Sequence, residues 1–139
     1  MIKGKRIVLG ITGGIAAYKA AEMTREFVKK GADVRVIMTK SAGEFITPLT
    51  MWTLSGNPVY DDIFSVSGGG DIAHINLAQT ADIIVIAPAT ANIIGKMASG
   101  IADDLLSTTV IATKAPVLIC PAMNATMYEN SIVMSNMKR

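Results

Sequence analysis

Two apolar runs in this sequence end in similar polar segments. Ile83-Ile84-Val85-Ile86-Ala87 leads into Pro88-Ala89-Thr90-Ala91-Asn92, and Val117-Leu118-Ile119-Cys120 leads into Pro121-Ala122-Met123-Asn124. Each segment sets an amide side chain just past a rigid turn. A third stretch, Gly10-Ile11-Thr12-Gly13-Gly14-Ile15, joins a strand-like run to a helix-like one. Glycines there let backbone N–H groups approach an anion, and a helix N-terminus adds partial positive charge. Thr39-Lys40-Ser41 closes the next apolar run with hydroxyls and a cation, groups suited to a phosphate monoester. A dinucleotide site wants an acidic residue at that place for a ribose hydroxyl. The glycine spacing is not G-x-G-x-x-G either, and a Walker-type Gly-Lys-Ser/Thr is missing. A mononucleotide fits these residues better than NAD or a nucleoside triphosphate; the bland alternative is a tight turn that holds no ligand.

His74 is the only histidine and follows the glycine-rich stretch Ser65–Gly70. A lone histidine commonly just satisfies a backbone group. Its place beside a Gly-rich loop, read as the one flexible loop and a plausible lid or subunit contact, raises the case for a general acid or base. One histidine and the single cysteine, Cys120, provide no zinc-ligand spacing and no intramolecular disulfide, and no Gly-x-Ser-x-Gly elbow offers a serine nucleophile. Asp103 and Asp104 read as the start of a solvated helix turn rather than a catalytic pair. The nine methionines read as core filling or contacts to a flat ligand, with Met123 and Met127 beside Asn124 the two placed near one.

The elements that must position these residues alternate. Strands are expected at 6–11, 34–38, 83–87 and 117–120, and helices at 16–30, 42–54, 74–81, 93–98 and 103–112, with Gly31 as a stop after the first helix. That order implies an α/β fold, a doubly wound parallel sheet of flavodoxin/Rossmann-like three-layer αβα architecture. Unbroken apolar strands are expected to be buried on both faces, and ligands to collect at their carboxyl ends. A length of 139 residues suits one domain; 50 % hydrophobic and 17 % charged residues argue against disorder. A net charge of +2, without a basic stripe, gives no footprint for nucleic acid. No apolar run reaches the about 18 residues of a membrane span, and Ile7-Val8-Leu9, into which Met1–Arg6 opens, is too short for a signal-peptide core. The expected location is cytoplasmic.

Gly13-Gly14-Ile15-Ala16-Ala17-Tyr18-Lys19, the histidine before a helix, Pro88-Ala89-Thr90-Ala91-Asn92, and Pro121-Ala122-Met123-Asn124-Ala125-Thr126-Met127-Tyr128 together resemble the homo-oligomeric flavin-containing cysteine decarboxylases. The resemblance runs from about Lys5 to the end, with the motifs in the family's order. Tyr128 departs from the tryptophan that many members carry. The resemblance implies FMN as cofactor and, for the members most similar, decarboxylation of 4′-phosphopantothenoylcysteine to 4′-phosphopantetheine in coenzyme A biosynthesis. It assigns His74 as acid/base residue, and Asn124 with Met123 to the substrate carboxylate. Thr90, Ala91 and Asn92 line the flavin ring, with Ile93 and Ala122 also on the cofactor side; Gly13, Gly14, Ile15, Thr39 and Ser41 hold the phosphate end. It implies a homotrimer or dodecamer. It also implies a single flavoprotein domain over residues 1–139 that stops before the family's substrate-clamp segment and any fused ligase domain. Alternatives within the resemblance are a flavin-binding regulatory subunit, a decarboxylase acting on a peptide C-terminus, and a flavin prenyltransferase, which Pro121-Ala122-Met123-Asn124 argues against.

Overall fold

The computed structural model describes residues 2–61 and 70–138, the first five residues of the helix that begins at Gly70 as backbone only. Four parallel strands, β1 (Arg6–Ile11), β2 (Asp33–Met38), β3 (Ile83–Ala89) and β4 (Val117–Pro121), form one sheet in the order β2-β1-β3-β4. The expected doubly wound α/β fold is borne out. Side chains alternate across the strands, so neighbouring residues feed opposite layers. Leu9, Ile11, Val36, Met38, Val85 and Ala87 pack with Ala17 and Ala20 of α1 (Ala17–Lys29) and Met51 of α2 (Pro48–Ser55). Val8, Ile37, Ile84 and Ile86 pack against Leu77 of α3 (Gly70–Thr80), Ile93 and Ile94 of α4 (Ala91–Ser99), and Leu105 and Leu106 of α5 (Leu105–Ala112). Gly10 leaves room for Leu106 on this side: a Cβ there would meet Leu106 Cδ1 at 2.5 Å, and that side chain would have to shift.

The termini of the elements follow from particular residues. Gly31, at φ +87°, ends α1 in the left-handed region that glycine adopts without strain. The single helix expected over 42–54 is instead a 3₁₀ turn (Ser41–Glu44) followed by α2. Pro48 cannot continue a helix but suits its first turn, and Thr47 caps that turn by accepting from the Thr50 N–H. Asp104 caps α5 in a reciprocal capping box with Ser107, so the helix expected from 103 begins at Leu105. Of the loop expected over 65–70, residues 65–69 lie outside the described residues and Gly70 opens α3, ahead of the predicted start at His74. Past β4, two further short helices, α6 (Ala125–Glu129) and α7 (Ser131–Lys138), complete the described chain.

One expectation fails on β4. Its continuous apolar run was expected to be buried on both faces, yet Leu118 is 53 % exposed and the rest of the strand at most half-buried. β4 is one edge of the sheet, and β2, the other, is largely buried under α1, α2 and α5, whereas only Val117, Ile119 and Cys120 of β4 pack against the helical layers. β3, the inner strand, is buried as expected.

At the opposite end of the strands, Asp33 accepts from Arg6 Nε at 3.0 Å and from Arg35 Nε at 3.0 Å, joining β1 to β2. Burial pushes its carboxyl upward, but hydrogen bonds from Arg35 and Arg6, with their charges, outweigh it and hold the group below its ordinary value of 3.8. A carboxyl that is depressed in the folded state stabilises the fold above its unfolded value and loses that contribution as pH falls through the folded value. Asp33→Asn is therefore expected to lower the urea midpoint at neutral pH. The difference from the parent shrinks as pH falls below about 4, the unfolded carboxyl range. A pH-independent difference would show that the ion cluster is not its source.

Candidate functional site

The carboxyl ends of β1, β2 and β3 converge on a cavity of about 260 Å³ lined by Thr12, Gly13, Thr39, Lys40, Ser41, Thr90, Asn92, Ile93, Lys96 and Asp104. Six of the residues expected on the cofactor side, Gly13, Thr39, Ser41, Thr90, Asn92 and Ile93, thus meet in one place. They come from three connections far apart in sequence. Parallel strands bring the ends of such connections to the same sheet edge.

Gly13 determines how closely two of those connections approach. A Cβ at Gly13 would lie 2.4 Å from Ser41 Cβ and 3.0 Å from the Ser41 carbonyl carbon. Only glycine permits that contact, because the obstructing atoms include backbone. Gly14 has no such constraint: a Cβ there would sit 3.7 Å from Pro88 Cγ.

Thr12 secures the arrangement from beneath. It is buried, its hydroxyl donates to the Pro88 carbonyl, and its Oγ1 accepts from the Thr90 N–H at 3.2 Å. The Pro88 carbonyl is available because β3 carries one extra residue against β4: Ile86 pairs with Ile119, but Ala89 pairs with Pro121. Proline has no N–H for the ladder, and such residues concentrate at bulges. Pro88 and Pro121, expected just beyond their strands, lie within β3 and β4. Thr12→Val keeps the shape but leaves a buried carbonyl and N–H without their partner. It is expected to destabilise the fold by about 1–3 kcal/mol, read as a lower urea midpoint with unchanged slope.

The partial positive charge at the cavity comes from a different helix than expected. The glycine turn contributes Thr12 and Gly13, but it is the first turn of α4, with Thr90, Asn92 and Ile93, that lines the cavity. Thr90 is the N-cap of α4 and accepts from the Ile93 N–H at 3.3 Å. The first N–H groups of a helix have no intrahelical acceptor, so those of Ala91 and Asn92 are the donors this turn can offer an anion. Thr39 also works locally, accepting from the Ala42 N–H at 3.2 Å.

Other expected site residues lie apart from this cavity. Ala122 lines a second groove of about 240 Å³ with Ala16, Lys19, Ala20, Met23, Ala87, Pro88, Cys120 and Pro121, between α1 and the β3–β4 edge. The Ala122 N–H donates to the Ala89 carbonyl at 3.1 Å, so the two Pro-Ala turns are joined directly. Ile15 is 82 % exposed. Asn124 is the N-cap of α6, its Oδ1 accepting from the Met127 N–H at 2.9 Å. That bond uses the carbonyl oxygen and leaves the amide NH₂ as the group able to hold a carboxylate. Met123 is half-buried against the apolar cluster that includes Ile93 and Ile94, whereas Met127 is exposed. His74 lies in α3, and its side chain is outside the described residues.

Lys96 and Asp104 were not anticipated as lining residues. Lys96 belongs to none of the expected motifs, but it stands one helical turn past Asn92 on α4, a separation that puts both on one face. Its Nζ is 2.8 Å from Asp103 Oδ1 and 3.5 Å from Asp104 Oδ2. The Asp103 hydrogen bond lifts the Lys96 ammonium above its ordinary value against the opposing effect of burial, and the same bond holds Asp103 below the usual carboxylate range. Asp103 and Asp104 do mark the start of α5, as expected, and they also bind it to α4. Among the described residues no group of histidine, cysteine and carboxylate side chains is arranged to hold a metal ion.

This cavity offers hydroxyls, helix N–H groups and ammonium groups around a close backbone approach, a donor set that fits a phosphate monoester. A family model described as Flavoprotein matches residues 1–139. The chain is similar to the coenzyme A biosynthesis bifunctional protein CoaBC of Vibrio cholerae, 52 % identical over 137 residues, which are 99 % of this chain and 34 % of that protein. It therefore spans about a third of the length of such relatives. Among solved structures it resembles the FMN-dependent cysteine decarboxylase SpaF, with a TM-score of 0.89 and 33 % identity over 99 % of this chain and 79 % of that one. It also resembles a cysteine-to-serine mutant of PPC decarboxylase complexed with pantothenoylaminoethenethiol, with a TM-score of 0.86 and 32 % identity over 98 % and 76 % of the two chains.

Proposed function

The chain belongs to the Flavoprotein family, and from that membership we propose that it binds FMN and decarboxylates 4′-phosphopantothenoylcysteine to 4′-phosphopantetheine in coenzyme A biosynthesis. The reading rests on one observation above the others: Gly13 and Ser41 meet so closely that a Cβ between them is excluded, at the mouth of a cavity rich in phosphate donors. The names of the similar proteins, SpaF and PPC decarboxylase among the structures and CoaBC among the sequences, point the same way.

When bound, the flavin would take two electrons from the cysteinyl group to give a thioaldehyde, whose C=S group can accept the electrons left by departing CO₂, and would return two electrons to the resulting enethiol to give the saturated thiol. The remaining work falls to this chain. Gly13, Thr39, Ser41 and the first turn of α4 hold the phosphate end, and Thr90, Ala91 and Asn92 meet the flavin next to it. Gly14, Ile15, Ile93 and Ala122 complete the cofactor side. Asn124 donates its amide N–H to the substrate carboxylate, with Met123 beside it, and His74 moves the proton. Orientation and proton transfer are the protein's usual share in cofactor chemistry.

The same reading extends to the assembly. Ile15, Tyr18, Leu118, Met127 and Tyr128 are each exposed apolar side chains of the kind that contacts in a homotrimer or dodecamer would cover, and the length of the relatives agrees with a fused ligase domain. No helix among the described residues is long and apolar enough to cross a membrane; a cytoplasmic location belongs to the proposal.

The test is a visible spectrum of the purified protein followed by CO₂ release from a panel of cysteine-terminated substrates. Flavin absorbance, and release from 4′-phosphopantothenoylcysteine in preference to a peptide ending in cysteine, is the expected result. A colourless protein that takes up no FMN, or one that releases CO₂ only from the peptide, overturns it.

A further inference from the structure

Two ammonium groups line the candidate phosphate cavity, and they differ in how they are held. Lys40 is exposed, so water and salt screen its charge. Lys96 keeps only 18 % of its side chain exposed, and its Nζ is shared between two carboxylates of unequal standing. Asp104 is committed to the helix: its Oδ1 accepts from both the Ser107 N–H at 2.8 Å and the Ser107 hydroxyl at 2.7 Å. Asp103, which makes the shorter 2.8 Å contact with Lys96, is 59 % exposed and can return to water at little cost.

We propose that Lys96 is the counter-ion of the flavin phosphate and Asp103 its competitor: the Lys96 ammonium exchanges the Asp103 carboxylate for the phosphate when the cofactor binds. This deepens the FMN reading and rests on it. A phosphate monoester carries nearly two charges and three acceptor oxygens, against one charge on Asp103. The flexible lysine stem allows the ammonium to change partner by rotating its terminal bonds while α4 stays in place. Asp104 keeps its contact with Lys96 in both states, which holds the ammonium at the wall of the cavity. The anionic partner of the free protein thus occupies Lys96 until a better one arrives.

The experiment compares FMN with riboflavin, which lacks the phosphate, by quenching of flavin fluorescence. Lys96→Met is expected to weaken FMN binding by about 10- to 100-fold and leave riboflavin binding unchanged, while Lys96→Arg retains most of the FMN affinity. Asp103→Asn is expected to tighten FMN binding, because it removes the competitor without touching the cap on α5. Circular dichroism melts without flavin report whether each variant folds; if Lys96→Met does not, Asp103→Asn decides alone. Parent protein that binds FMN, with FMN affinity unmoved by Lys96→Met or weakened by Asp103→Asn, overturns the exchange. Parent protein that binds neither flavin overturns the FMN reading itself.

Discussion

Gly13→Ala is expected to lose FMN, with affinity falling by at least about 100-fold, while the matched Gly14→Ala variant binds almost normally. The contrast follows from what each new side chain meets. At Gly13 the first added carbon would already lie 2.4 Å from Ser41 Cβ and 3.0 Å from the Ser41 carbonyl carbon. No rotamer relieves a clash with backbone, so the β1–α1 turn and the Thr39–Ser41 segment must separate. Overpacking of this kind costs about 1–3 kcal/mol in stability. The larger effect falls on binding, because the donors on the two segments no longer converge on one point. A small displacement of positioned groups is enough to remove most of their joint effect. At Gly14 the nearest atom to an added Cβ is 3.7 Å away, ordinary van der Waals contact. Equilibrium titration with FMN reads both variants. Equal affinities for the two would show that the Gly13–Ser41 approach does not form the phosphate site.

His74→Asn is expected to produce the opposite separation: a yellow protein that no longer releases CO₂ at a useful rate. Asparagine keeps a hydrogen-bonding side chain of similar reach but has no group that gains or loses a proton near neutrality. If His74 carries the proton, its removal lowers kcat by about 10²–10⁴-fold, the usual share of a general acid or base. Flavin affinity should not move, since the described residues that line the cavity at the sheet edge lie outside α3. Single-turnover release of CO₂ from FMN-loaded protein separates the two quantities. Near-normal release would transfer the role to another residue, and loss of flavin with loss of activity would make His74 a binding group.

The sheet was legible in the sequence because its strands repeat one simple signal. Ile7-Val8-Leu9, Val34–Met38 and Ile83–Ala87 are short apolar runs between turn residues, and their residues do feed both layers of the fold. The same signal misled at β4. An apolar run reports that a strand prefers burial, and it does not say which strands the helices cover: β2 and β4 are both edges, yet β2 is largely buried and β4 is not. The meeting of Gly13, Thr39 and Ser41 at one cavity was legible as well, because they sit next to strand ends where the chain reverses. Thr12 was hidden among turn residues: its importance lies in a hydroxyl that reaches Pro88 and Thr90, more than seventy positions away. Lys96 and Asp104 were hidden for a related reason, each having an ordinary place in a helix pattern and meeting only through the α4–α5 connection.

The two Pro-Ala-containing segments show a finer limit. Read as letters, they place Asn92 and Asn124 in similar positions. In the structure the helix cap is Thr90 in the first and Asn124 in the second, while Asn92 stands inside the first turn of α4. One amide is therefore partly spent on its own helix, and the other is not. Capping position, which depends on backbone angles, separates the two residues where spacing alone makes them look equivalent.

The Thr12 contacts carry a consequence for how the protein behaves in the cell. They tie the turn after β1 to the bulge of β3 across a span that includes β2 and three helices, so the cavity exists only once the inner strands have paired. Contacts of such separation form late, after the entropy of closing long loops has been overcome. A ligand of this cavity has no partial site to occupy on an unfolded chain, and its entire binding energy falls on the folded side of the equilibrium. The supply of flavin would then set how much of the protein stays folded. In a flavin-starved cell the first effect would be on the amount of intact protein, ahead of any change in the rate at which each molecule works.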